Sequence, residues 1–264
     1  MNDMIKVKDN REERITEYKE LLCRRDQLEK EAGSILISYT REFGEEIARN
    51  FELKVECIKK KKMIAYCQKQ INRGRSIDVN TMNGMIENEM QMYYLELKEM
   101  AAKNAAAKNA TTSSEIRIQR SKKVYRRLAK MLHPDVNMKT MIDPALRDLW
   151  ERIADAYRMN DCEAIEDLEV LVRNRMEALG DEGFEIAFAD IEERIERVEQ
   201  QINEIISTEP YTYLELLTDD KHKAAKHKEL EKEYKEFGKY RKELEDALDK
   251  LISSGGVGIT WLMN

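Results

Sequence analysis

The stretch "KKVYRRLAKMLHPDVN", residues 122–137, decides how the rest of the chain is read. From Ile116 to Leu132 there is no acid, and Ile118, Tyr125, Leu128 and Leu132 recur at helical spacing opposite Arg117, Arg120, Lys122, Lys123, Arg126, Arg127 and Lys130. The pattern predicts an amphipathic helix with one wholly basic face. The helix should stop at His133, because a residue before proline is pushed out of the α region. Pro134 then fixes the chain direction and removes a donor. His133 stands near the negative end of the helix dipole, and Asp135 offers a carboxylate acceptor. The expectation is a rigid polar corner beside a cationic face that attracts and orients an acidic surface.

Further structure is expected on both sides of this corner. Thr112 with Glu115 reads as a capping box for the basic helix. Downstream, Asp143-Pro144 supplies an N-cap and a first-turn proline for a helix carrying Leu146, Trp150, Ile153 and Tyr157. Asn160 with Glu163 reads as another capping box, after which Ile165, Leu168, Val172 and Leu179 continue helically to Gly180.

The stretch resembles the second helix and loop of a J domain, the DnaJ-like co-chaperone module. Tyr125, Leu128 and Ala129 stand where that family has Tyr-x-x-Leu-Ala, and Trp150, Ile153, Ala156 and Tyr157 match the spacing of its third-helix Phe-x-x-Ile-x-x-Ala-Tyr. The resemblance covers about residues 113–160. It implies two antiparallel helices packed through Tyr125, Leu128, Ala129, Leu132, Trp150, Ile153, Ala156 and Tyr157. It further implies that His133, Pro134 and Asp135 engage the ATPase and linker region of a DnaK-type heat-shock chaperone and stimulate its ATP hydrolysis. Lys122, Lys123, Arg126, Arg127 and Lys130 would supply the attraction. Departures from the family are also plain. Its first helix has only a faint echo in "YYLELK", residues 93–98, and neither a Gly/Phe-rich segment nor a cysteine-repeat zinc module is present.

Long helices flank this module. Residues 8–72 carry Ile15, Tyr18, Leu22, Ile35, Tyr39, Phe43, Ile47, Phe51, Val55 and Ile58 on one face, with Gly33-Ser34 as the one candidate break. Gly74 reads as a helix stop and Asp78 or Asn80 as the next cap, before Met82, Ile86, Met90, Tyr93, Leu97 and Met100 form the face of a second helix. The stretch 101–114, "AAKNAAAKNATTSS", holds no large apolar side chain and reads as a junction. Two heptad runs follow: Phe184, Phe188, Ile191, Ile195, Val198, Ile202 and Ile205, then Leu230, Tyr234, Phe237, Arg241, Leu244, Leu248 and Leu251. The expected fold is all-α and elongated, a J-domain-like helical finger flanked by long antiparallel hairpins. The expected segments are an N-terminal helical hairpin (1–104), the J-like module (105–180), a C-terminal antiparallel coiled-coil hairpin (181–252) and a tail with an apolar end (253–264).

Composition agrees with an all-helical chain: 37% of the 264 residues are charged, with ten Gly and only three Pro. The net charge of −6 does not advertise a polyanion partner. Nucleic-acid binding through the basic helix is disfavoured further by nine acids against three bases in residues 143–169. Cys23, Cys57, Cys67 and Cys162 are scattered without C-x-x-C spacing, so they read as free thiols in a reducing cytosol, with no zinc centre. His222 and His227 lie five apart, poor spacing for a shared metal. The Met82, Met85 and Met90 stripe reads as adaptable core, and "GGVG" in the tail lacks the Lys-Ser/Thr of a phosphate loop. The N-terminus is too polar for a secretory signal, and no apolar run approaches a membrane span. The reading is therefore a cytoplasmic co-chaperone or adaptor, with no catalytic constellation, cofactor, metal or membrane. Its coiled-coil hairpins could hold a client or a second copy. The competing reading is a structural coiled-coil scaffold that keeps the J-like fold as a packing unit.

Overall fold

The computed structural model describes residues 2–110, 113–180 and 190–253, with side chains from residue 12 onward. Among the described residues every regular element is a helix, so the chain is all-α. The first, α1 (Asn2–Asn72), runs without interruption through Gly33. A single helix-interior glycine costs about 1 kcal/mol, and here Ala32 and Ile35 on either side are both buried, so packing outweighs the break. Gly74, at φ +64°, ends the turn after α1, and Asp78 caps α2 (Val79–Asn109) by accepting from the Asn80 and Thr81 amides. Then come α3 (Glu115–Leu132), α4 (Met138–Ile142), α5 (Pro144–Arg158), α6 (Cys162–Ala178), α7 (Ile191–Ser207), α8 (Tyr213–Thr218) and α9 (Asp220–Ser253).

These helices form two compact units, both of which draw on α1: residues 1–35 with 111–212, and residues 36–110 with 213–264. The division differs from four consecutive segments. A heptad stripe states that a helix has a partner without naming it, and α1 is long enough to partner both downstream seams. In the first unit, Ile195 and Val198 of α7 pack with Tyr18 and Leu22 of α1. In the second, α9 runs parallel to α1, with Asn50 Nδ2 donating to the Leu230 carbonyl and Arg241 paired to Glu56 at 2.7 Å. The charged seam position Arg241 therefore has a carboxylate partner. Phe184 and Phe188, and the apolar tail end at Ile259, Trp261, Leu262 and Met263, lie outside the described residues.

In the second unit α2 lies antiparallel to α1. Met82, Ile86 and Met90 join Val55, Cys67, Leu248 and Leu251 in one apolar cluster. At the far end Asn104 Nδ2 donates to the Gly44 carbonyl at 2.8 Å. The Ala-rich junction is more than a passive spacer. Arg41 donates to the Ala107 and Ala110 carbonyls, capping α2 and burying Ala107. In the core of the first unit Val124, Tyr125, Leu128, Ala129 and Leu132 of α3 meet α5 and α6 through Leu146, Ile153, Tyr157, Ile165 and Val172. Among the described residues no helix is long and apolar enough to cross a membrane.

Candidate functional site

Helix α3 is capped at its start by Ser114, whose side chain accepts from the Arg117 amide. Thr112 lies outside the described residues. The last turn of α3 closes when the His133 amide donates to the Ala129 carbonyl at 2.9 Å. His133 then leaves helical geometry, at φ −52° and ψ 127°, as a residue before proline must. Its carbonyl takes the amides of both Val136 and Asn137, each at 2.9 Å, so the corner is tied back on itself. Asn137 Nδ2 reinforces it by donating to the Met131 carbonyl, and Asn137 also caps α4. Asp143 caps α5 with Pro144 in the first turn, and Arg175 pairs with the same carboxylate. At the next junction the cap is Asp161, accepting from the Ala164 amide at 3.1 Å, not Asn160. Asn160 stands at φ +55°, in the left-handed region where a single Asn is tolerated.

The side chain of His133 is 9% exposed. Its Nδ1 accepts from the Asp135 amide at 3.1 Å, so in the neutral ring the proton sits on Nε2. Nε2 faces Asp26 Oδ2 at 4.0 Å and approaches the Arg25 guanidinium at 3.3 Å. A guanidinium cannot accept, so the approach to Arg25 is proximity and not a hydrogen bond. Trp150 packs its ring edge-on against the imidazole, with 5.0 Å between centroids. Burial pushes His133 below its ordinary pKa; Asp26 and Asp135 oppose that shift and Arg25 adds to it. Pro134 is half-buried, and Asp135 keeps 46% of its side chain exposed.

Residues of α1 that the sequence reading did not single out complete this site. Asp26 accepts from the Tyr125 hydroxyl at 2.7 Å and is paired with Arg25 at 2.8 Å. Burial first, then Asp26, drives the Tyr125 phenol well above its ordinary range. Glu20 takes both Arg126 and Lys130. Lys30 places its Nζ 3.6 Å from the centroid of the Tyr157 ring, which stacks on Tyr125 at 3.9 Å. That amine is buried without a hydrogen-bond partner, and burial together with Lys122 lowers its pKa to about 8. One signal pointed there. Asp26 and Lys30 stand on the four-residue steps that follow Leu22 along α1, and charges on an inward face imply buried polar partners.

The basic face is thereby divided. Arg126 and Lys130 are held by Glu20 of α1, and Arg127 forms a two-pronged pair with Glu169 of α6. Arg120 pairs with Glu166 in the same way. Among the described residues Lys122 and Lys123 enter no ion pair, and Lys123 is exposed. Tyr125, Leu128, Ala129, Leu132, Ile153, Ala156 and Tyr157 are buried in one cluster, with Trp150 partly buried against it. Cys23 contributes to that cluster, where burial pushes its thiol up to about 11. The other three cysteines are likewise buried and free. No family model, curated protein or solved structure matches the chain.

Proposed function

We propose that the chain is a cytosolic J-domain-like co-chaperone or adaptor that docks on a DnaK-type heat-shock chaperone and stimulates its ATP hydrolysis. The observation that carries this reading is the corner itself. His133-Pro134-Asp135 is tied rigidly to the end of a cationic helix whose inner face packs on α5 through Tyr125, Leu128, Ile153 and Tyr157. In this reading the chemistry belongs to the partner. The chain contributes only to the extent that it binds the hydrolysis-competent state better than the others. Charge on α3 favours fast, oriented encounter with an acidic surface more than it favours affinity. The test is the steady-state ATPase rate of a DnaK-type chaperone across a concentration series of the protein and of its His133→Gln variant. A raised plateau with the wild type that is lost in the variant is expected; rates unchanged by either protein at saturation overturn the proposal.

A second reading rests on the burial of the His133 ring, which points to a packing role. A scaffold that keeps the finger only for packing should lose its assembly on Ile195→Asp, in the stripe that meets Tyr18 and Leu22, and keep it on His133→Gln. Sedimentation of both variants separates the readings.

A further inference from the structure

We infer that the N-terminal part of α1, about residues 14–31, acts as an intramolecular ligand of the corner and basic face, so that an acidic partner surface must displace it to dock. The inference rests on the co-chaperone reading and assigns the regulation of that same site. The contacts are those an acidic partner would make. Glu20 takes two of the five cations, Arg126 and Lys130, and Asp26 takes the Tyr125 hydroxyl and lies opposite His133 Nε2. Val136, the residue after the tripeptide, is buried in a cluster with Tyr18 and Leu22 of the same helix. With α1 in place the imidazole is closed off, while Asp135, Lys122 and Lys123 remain accessible.

The chemistry of the α1 contact suits a latch. Both Glu20 pairs are more than one-third exposed, and such pairs contribute little each and are screened by salt. Between α1 and α3 lies an open groove of about 440 Å³ with a mixed lining, in which Glu17, Glu20, Lys122 and Arg126 stand beside Leu21 and Cys23. Lys30 buries an amine without a hydrogen-bond partner in the same contact, which offsets part of its cation–π attraction to Tyr157. Burial of Tyr18, Leu22, Cys23 and Leu28 keeps the helix seated by default.

A latch of this kind reduces apparent affinity by the fraction of molecules that are open and leaves the effect at saturation unchanged. Two substitutions loosen it without emptying the core. Glu20→Gln releases Arg126 and Lys130, and Asp26→Asn keeps an acceptor for Tyr125 while removing the charge. Glu13→Gln, an equal change of charge at an exposed position of α1, is the control. In the 264-residue chain, the concentration giving half-maximal stimulation of a DnaK-type ATPase should fall about five-fold or more in each loosened variant. It should not move in the control. A synthetic peptide of residues 12–32 added to the loosened variants should raise it again, and a scrambled peptide should not. The His133 ring, followed by NMR titration, should return toward its ordinary value of 6.5 in Glu20→Gln, which leaves the charges next to the ring unchanged. Equal half-maximal concentrations for the wild type and both variants, at a shared raised plateau, overturn the latch and leave the co-chaperone reading standing. A plateau that never rises in any variant, including those whose His133 ring has been freed, overturns that reading and the latch with it.

Discussion

His133 in the first unit and His227 in the second each face acids carried by α1, yet their surroundings drive the two rings in opposite directions. His133 is sealed against Trp150, with Asp26 4.0 Å from Nε2 and Asp135 3.8 Å from Nδ1, neither within hydrogen-bond distance, and burial dominates, favouring the neutral ring. His227 is about one-third exposed, with Nδ1 2.9 Å from Glu46 and Nε2 3.0 Å from Glu42. Two carboxylates on two nitrogens require both to carry protons, and these hydrogen bonds raise its pKa. One helix therefore packs in two ways: through a buried, imperfectly compensated polar contact in the first unit, and through wet ion pairs over an apolar stripe in the second. The comparison suggests that the first contact is suited to exchange and the second to permanence.

The largest expected difference follows from cutting one acid in each unit. Asp26→Ala removes the acceptor of the Tyr125 hydroxyl and the nearest carboxylate of Arg25, which keeps only the longer contacts to Gln201 and Glu29, in a site where Asp26 is 11% exposed. Breaking a partly buried pair of this kind should cost about 2–4 kcal/mol of the α1 contact. Glu46→Ala removes one of two carboxylate partners from a ring about one-third exposed and should cost less than about 1 kcal/mol. Denaturant unfolding followed at Trp150 for the first, and amide exchange in α9 for the second, measure the two costs. Equal losses would erase the distinction drawn between the contacts.

The asymmetry was only half legible in the sequence. Periodicity identified the inward faces of α3 and α5, because Tyr125, Leu128, Ile153 and Tyr157 repeat at helical spacing whatever they meet. The caps at Asp78 and Asp143 were legible because capping is local chemistry. The partners of the stripes were not. Ile195 and Leu230 announce seams, and nothing local says that both seat on α1. The occupancy of the corner was hidden for the same reason: Glu20 and Asp26 are more than a hundred residues from His133, and a charged residue on a helix is usually solvated. Gly33 misled in the other direction, since a propensity of about 1 kcal/mol yields readily to burial on both sides.

Two glycines of α1, one in each unit, sharpen the contrast. At Gly44 a Cβ would strike the Asn104 side chain, displacing the amide that donates to the Gly44 carbonyl. Gly44→Ala should therefore destabilise the second unit by about 1–2 kcal/mol, because overpacking and the lost hydrogen bond outweigh the helix-propensity gain. A Cβ at Gly33 meets open space, so Gly33→Ala should stabilise by about 0.5–1 kcal/mol. Thermal midpoints of the two variants should move in opposite directions. Lys30→Met tests the first unit alone, keeping the packing on Tyr157 and deleting the buried amine. It should stabilise by about 1 kcal/mol near neutral pH, after allowing for the partial exposure of Lys30. That gain should fade as pH rises from about 8, where the buried wild-type amine loses its proton, toward the ordinary lysine value of 10.5.

The smallest expected effects, and the most diagnostic, come from pH. His133 has a folded pKa below the ordinary 6.5, so the unfolded chain binds the proton more readily. The stability it lends the first unit is complete above 6.5 and is lost as pH falls from there toward the lowered folded value. His227 has a folded pKa above 6.5, so the folded chain holds the proton more tightly. Its stability is complete below 6.5 and is lost as pH rises through the raised value. Between mildly acidic and mildly basic solution the two units should therefore change in opposite senses, each by about 0.5 kcal/mol once solvent screening is allowed for. Amide exchange in α3 and in α9 at the two pH values, corrected for the intrinsic exchange rate, reads both at once. His133→Gln should flatten the first response alone and His227→Gln the second alone. Parallel responses in α3 and α9 would mean that neither ring governs the packing of its helix on α1, and that the contrast lies in the apolar stripes.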